Sequence, residues 1–307
     1  MNRIKSLDTL KGLMIFFIVI YHTQGILRVD NPIFNLLYKY GGDLGNTFFF
    51  MVSGFFITAT SYEKVLAKKI DFLYFFKHRI LKIYPMYFFS SLCCVVLKIF
   101  SNADNIISFK QVILNVLLIT SGWIEDVYPF NFPCWFLSVL ILMYIVWFIA
   151  TRKYGKNAWY VYIALIIAGL AIEKMCLQKP FLYYHTGEGL VPFFAGCLLF
   201  KVTETCQDKM KLISICSIPL MIIFAVFATK VGFDKAAGEW KYVWYFLFSP
   251  ALICIAMFIR PIKVILENKY LFWCFGNISM VVYLWHSPFT TVFGRLAGGD
   301  CRIIVGK

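Results

Sequence analysis

Apolar and polar positions fall in long alternating blocks along the chain. Apolar runs lie near residues 8–27, 44–61, 80–100, 106–122, 134–150, 157–177, 189–203, 212–230, 242–259 and 270–293. A bilayer hydrocarbon core of about 30 Å takes about 20 residues of α-helix, and most of these runs suit it. Ten-residue strands of alternating hydrophobicity, the mark of a membrane β-barrel, are absent. The pattern predicts an all-α, polytopic integral-membrane helical bundle of about ten membrane segments. The run at 106–122 is the weakest: it is short, carries Asn115 and ends in Thr120-Ser121-Gly122. No internal repeat is visible, and residues 1–307 read as one integral-membrane domain without a soluble appendage. The tail from Gly294 to Lys307 is too polar to span.

Composition supports this class. The chain has 307 residues, is 61% hydrophobic and only 15% charged, which leaves too little polar surface to cover a soluble fold. Net charge is +14. In a membrane protein such an excess sets topology and meets anionic headgroups, so nucleic-acid binding gains no support from it. If 106–122 does not cross, Lys/Arg cluster in the N-terminus and in 62–82, 151–157, 201–211 and 260–269. External loops then carry the acids Asp30, Asp43, Glu188, Asp234 and Glu239. That is a positive-inside pattern with a cytoplasmic N-terminus, and crossing at 106–122 would weaken it. A re-entrant or tilted segment is therefore expected there. The ten cysteines form no CxxC pair and no Cys/His cluster with metal-ligand spacing, so no metal site is expected. The first apolar run is too long for a signal h-region and should remain as a span.

Candidate chemistry starts with Lys11 and His22. They stand eleven residues apart, about three helical turns plus 20°, so both point the same way. The rise is about 16 Å, which puts one near the membrane surface and the other deep. Ionisable groups at that depth are functional candidates. The alternative is a lysine that snorkels and a histidine bonded to a neighbouring helix. Arg79 and Lys82 are i, i+3 neighbours at the start of the third span, and such a cationic pair can hold phosphates or simply mark a cytoplasmic loop. Ser53-Gly54 permits close approach of a helix or ligand. Without a Gly-x-Ser-x-Gly elbow or an acid at triad spacing, Ser53 does not read as a nucleophile. Trp135, after Pro133, is an interfacial anchor when taken alone. His286, in Tyr283-Leu284-Trp285-His286-Ser287-Pro288, is a second intramembrane histidine, or part of a kink at Pro288. His185, Glu188 and Tyr183-Tyr184 fit either a carbohydrate contact or an aromatic belt, and Glu125 and Asp126 are weaker candidates for placing an external acceptor.

Four blocks in order resemble the integral-membrane acyltransferase family 3, whose members acylate bacterial surface carbohydrates. They are Leu7-Asp8-x-Leu-Lys11-Gly12 through His22, Phe49-Phe50-Met51-Val52-Ser53-Gly54-Phe55, Arg79-x-x-Lys82-Ile-Tyr-Pro85, and Ile278-Ser279 through Tyr283-Leu284-Trp285-His286-x-Pro288. Pro192-Phe193-Phe194-Ala195-Gly196 is similar to a further family segment. The chain departs from the pattern in several places. Lys11 and Lys82 stand where the family usually has arginine, keeping charge but losing the bidentate fork. Thr47 replaces a frequent aspartate, and no acid follows Trp135-Phe136-Leu137-Ser138. Members often carry further membrane sequence after the last block, so the chain looks short there, either ending early or being a truncated copy.

The resemblance implies a plasma-membrane enzyme that moves an acyl group, expected to be acetyl from acetyl-CoA, onto a carbohydrate or glycolipid hydroxyl. Lys11, Arg79 and Lys82 would hold the donor's phosphates. His22 would be catalytic, as general base or as a transient acyl-histidine. Ser53, Trp135 and His286 would face the acceptor, and Asp8 would orient Lys11. The competing class is a transporter or flippase for a lipid-linked or small anionic solute, in which buried Lys and His also occur. A third is a non-enzymatic partner in an envelope-assembly complex, for which the polar membrane residues would be dispensable.

Overall fold

The structure, a computed structural model, describes residues 4–26, 29–100, 107–124, 127–231 and 241–296. Glu125, Asp126, Asp234, Glu239 and all but the first residues of the tail from Gly294 lie outside them. The fold is helical, apart from a hairpin that pairs β1 (Gln178–Lys179) with β2 (Leu182–Tyr183). Six stretches are long and apolar enough to cross a membrane: Lys5–Thr23, Pro32–Leu66, Phe72–Ile99, Phe132–Met175, Gln207–Phe227 and Lys241–Phe258. The fourth holds two helices, α5 (Trp135–Tyr154) and α6 (Ala158–Met175).

α1 is Lys5–Thr23, and α2 runs from Pro32 to Leu66. The apolar run alone predicts a start near 44. The helix begins earlier because Asn31 caps it, accepting from the Ile33 N–H at 2.9 Å, and Pro32 supplies the first turn. Gly41 and Gly45 let α1 press against this part of the helix: a Cβ at either would collide with the Phe17 carbonyl or the Ile18 side chain. The basic loop expected over 62–82 shrinks to residues 67–71, because Asp71 caps α3 (Phe72–Ile99) and accepts from the Tyr74 N–H at 2.7 Å. Lys68 and Lys69 stay in this loop, while Lys64, Lys77 and Lys82 lie exposed on the flanking helices.

The weak run at 106–122 forms only α4 (Phe109–Val116), whose eight residues reach about 12 Å and fall short of a bilayer core. Its irregular continuation is satisfied by protein, the condition for such backbone at depth. The Tyr87 hydroxyl donates to the Asn115 carbonyl at 2.6 Å and the Tyr84 hydroxyl to that of Val116 at 2.8 Å. Ser138 accepts from the Thr120 N–H at 3.0 Å and donates to the Ser121 carbonyl at 3.0 Å.

The core forms where α2, α5, α6 and α7 (Tyr184–Thr205) pack together around Phe50, Trp147, Tyr162, Phe193 and Phe194. At the α2–α7 crossing, a Cβ on Gly54 would meet the Phe193 carbonyl, and one on Gly196 the Met51 carbonyl. Beyond α8 (Met210–Val231), a π-helical turn at Trp244–Phe248 leads into α9 (Ser249–Phe258), followed by α10 (Arg260–Leu266). The final run, expected as one span over 270–293, is broken: α11 (Lys269–Leu271), a π turn at Phe272–Gly276, then α12 (Ser279–Leu296). The π turn lies against α1, with the Phe275 carbonyl over Gly12. Such turns concentrate at functional sites.

Candidate functional site

One cavity of about 500 Å³ opens between α1, α2, α3, α5 and α12. That volume falls within the roughly 300–1,000 Å³ usual for small-molecule sites. Lys11, Ser53, Arg79 and Lys82, from three different helices, all line it. Asp8 is buried and pairs with Lys11 at 2.5 Å, and Lys11 Nζ stands 5.2 Å over the Phe56 ring. Arg79 donates to the Thr60 and Ser61 hydroxyls, each at 3.2 Å, with its guanidinium 5.7 Å from the Phe75 and Tyr144 rings. The guanidinium is thus held by neutral groups, leaving its charge for a ligand. The residues of α5 that line the cavity, Phe136, Leu140 and Tyr144, add no charge. Three cations against the one carboxylate of Asp8 suit a polyanion.

His22 and His286 do not line this cavity. Its inner wall is a cluster of three rings: Phe49, Phe136 and Tyr283 have centroids 5.6–6.1 Å apart. The histidines meet beyond it, with ring centroids 5.0 Å apart. His286 is 5% exposed, its Nδ1–H donates to the Tyr283 carbonyl at 2.7 Å, and its Nε2 has no partner among the described residues. His22 is half-buried and touches the Tyr21 and Phe132 rings at 5.0 and 5.9 Å. α12 is anchored here by two bonds from the segment before α5: the Tyr283 hydroxyl donates to the Pro133 carbonyl at 2.5 Å, and Asn131 Nδ2 to that of Leu284 at 2.8 Å. Asn131 is fully buried, and its Oδ1 is unpartnered among the described residues. Sequence reasoning passed over Asn131; its place between two aromatics before Pro133 was the only signal.

Trp135 sits apart from the cavity. It is 8% exposed and is stacked by His185 at 4.3 Å, so its ring face is covered by protein. His185 opens a charged network that the sequence only half disclosed. Its Nδ1–H donates to Glu188 at 2.9 Å. Lys241 bonds Glu188 at 2.8 Å and the Tyr184 hydroxyl at 2.9 Å and pairs with Glu173 at 3.2 Å, while the Tyr245 hydroxyl donates to Glu173 at 3.1 Å. Lys241 and Glu173 carried no motif. Among the described residues no group of three or more His, Cys, Asp or Glu side chains is placed to hold a metal ion.

Apolar helices around a cationic internal cavity, backed by two histidines, define a multi-pass membrane protein with a charged cavity in its bundle. The acyltransferase domain family matches residues 4–300, and the chain belongs to that family. Among curated proteins it is similar to the O-acetyltransferase OatA of Staphylococcus aureus strains NCTC 8325, COL and MRSA252. Each is 26% identical over 314 residues, covering 92% of this chain and 50% of the relative. The chain therefore spans about half the length of these relatives. No solved structure matches it.

Proposed function

We propose that this chain transfers an acetyl group from acetyl-CoA to a hydroxyl of a cell-surface or lipid-linked carbohydrate. The observation that carries the reading is the convergence of Lys11, Arg79, Lys82 and Ser53 on one cavity whose inner wall backs onto the histidine pair. In this reading the cavity faces the cytoplasm, consistent with the positive-inside pattern. Lys11, Arg79 and Lys82 bind the donor's phosphates, Asp8 holds Lys11 in place, and the thioester end points toward the histidines. A neutral imidazole is suited to take the acceptor hydroxyl's proton, because its ordinary pKa lies near operating pH. The match to the acyltransferase domain family and the name of the S. aureus relatives support the reaction class. The test is release of free CoA from acetyl-CoA by the purified chain in detergent, with and without envelope glycans. His22→Ala should insert and fold yet sustain no turnover of acetyl-CoA when glycans are present. Undiminished steady turnover in that variant, or solute flux without CoA release in the wild type, would refute the reading.

A further inference from the structure

We infer that the acyl group is carried by His286, with His22 serving as the base that activates the acceptor; the inference rests on the acyltransferase reading above. The pair consists of two chemically different imidazoles. His286 is buried and its tautomer is set: with Nδ1–H given to the Tyr283 carbonyl, Nε2 must carry the lone pair. That nitrogen has no donor among the described residues. A buried polar atom left unsatisfied is destabilising and calls for an explanation. A nucleophile awaiting a carbonyl carbon is one, because a standing hydrogen bond to Nε2 would occupy the lone pair that must attack.

Position points the same way. Ser279 and Tyr283 line the cavity, and His286 continues that helix stripe at i+7, one turn beyond the inner wall. His22 sits on the other side of the pair, half-buried and with no hydrogen bond among the described residues to fix its ring. Its neighbour Tyr21 lies within electrostatic reach of Asp43 and Glu188. A donor arriving through the cavity therefore meets His286 first, and an acceptor arriving from the opposite side meets His22.

The steps balance. His286 Nε2 adds to the thioester carbonyl carbon, the C–S bond breaks, and CoA leaves as the thiolate. The resulting Nε2-acyl imidazolium keeps its Nδ1–H on the Tyr283 carbonyl, an acceptor suited to a cation. The acceptor hydroxyl then attacks the acyl carbon while His22 removes its proton. The C–N bond breaks, the electron pair returns to Nε2, and the His22 proton passes to solvent to offset the one taken up by the thiolate. Thioester and alcohol become ester and thiol.

The experiment is rapid-quench of the full chain in detergent with acetyl-labelled acetyl-CoA and no acceptor. Wild type and His22→Gln should each give a burst of about one CoA per protein with label retained, the fingerprint of a covalent intermediate. His286→Gln and His286→Asn, each checked for a wild-type elution profile and melting point, should give neither. Peptide mapping should place the acetyl group on the peptide that carries His286. A burst that survives in a folded His286 variant, or label mapped to His22, overturns the inference while leaving the acyltransferase reading intact. Steady turnover in wild type without a burst overturns it as well. No CoA release under any condition overturns both.

Discussion

Lys241→Met removes one ammonium and keeps nearly the same side-chain length, so its effect isolates a charge held between two carboxylates. The lysine side chain is 19% exposed, and its partners Glu173 and Glu188 are 3% and 11% exposed. Nζ lies 3.2 Å from one carboxylate and 2.8 Å from the other. After the substitution Glu173 retains the Tyr245 hydroxyl at 3.1 Å and Glu188 retains His185 at 2.9 Å, but no fixed cation offsets them. Removing one partner of a buried ion pair typically costs about 3–5 kcal/mol, because the remaining charge stays buried. The residual access of water to Lys241 places the expected loss near the lower end, about 3 kcal/mol. At roughly 2 °C per kcal/mol for a chain of this size, the melting midpoint should fall by about 6 °C. Adding Glu173→Gln and Glu188→Gln should restore much of it, since neighbours in one network are strongly non-additive. The assay is thermal unfolding in detergent, followed by tryptophan fluorescence, with the exposed Lys153→Met as control. A Lys241→Met midpoint equal to the control's, or a triple variant no better than the single one, would refute the idea that this network ties α6 and α7 to the segment entering α9.

Two further outcomes follow from the site and the core. Arg79→Lys keeps the charge and loses the planar fork, so the KM for acetyl-CoA should rise about tenfold, and Arg79→Met should raise it up to about 100-fold with kcat little changed; an unchanged KM in the methionine variant excludes Arg79 from donor binding. Gly54→Leu drives a side chain into the Phe193 carbonyl at the α2–α7 crossing, so the protein should elute as aggregate from size-exclusion chromatography; a monodisperse peak would show that this crossing tolerates separation.

The sequence carried the cavity better than it carried the pairing of the histidines. Lys11, Arg79, Lys82 and Ser53 were legible because each lies on a short helical motif whose facing can be counted from spacing alone. The start of α2 was not, because the apolar run opens only near residue 44, and Gly41 and Gly42 before it give no helical signal until α1 is known to pack on them. The approach of His22 to His286 joins the first helix to the last, and no local periodicity connects them. The same holds for the network of Glu173, Glu188 and Lys241, in which Lys241 is an unremarkable base at a segment start until the fold brings two acids to it. Trp135 was expected to face the acceptor as a sequence motif; in three dimensions its ring is covered by His185.

The wall between cavity and histidines bears on the choice between group transfer and solute carriage. Phe49, Phe136 and Tyr283 come from α2, α5 and α12, and each ring contacts the other two. A carrier would have to part all three to pass a whole solute. Two of the helices are also pinned at that level: the Tyr283 hydroxyl is bonded to the Pro133 carbonyl at the entry to α5, and Asn131 is bonded to the Leu284 carbonyl and the Ser90 hydroxyl. Parting the wall would break these buried bonds and leave their groups unsatisfied, at about 1–3 kcal/mol each. A thioester arm asks for less. In the proposed function only its narrow end would have to cross, with the phosphates left on Lys11, Arg79 and Lys82 and the histidine pair in place. A rigid wall that positions reacting groups on either side serves transfer, in which geometry held before the reaction lowers the barrier. It works against alternating access, in which the site must open to both sides in turn. The pinned wall is thus the structural feature that favours the proposed transfer over carriage by a bundle of similar apolar helices.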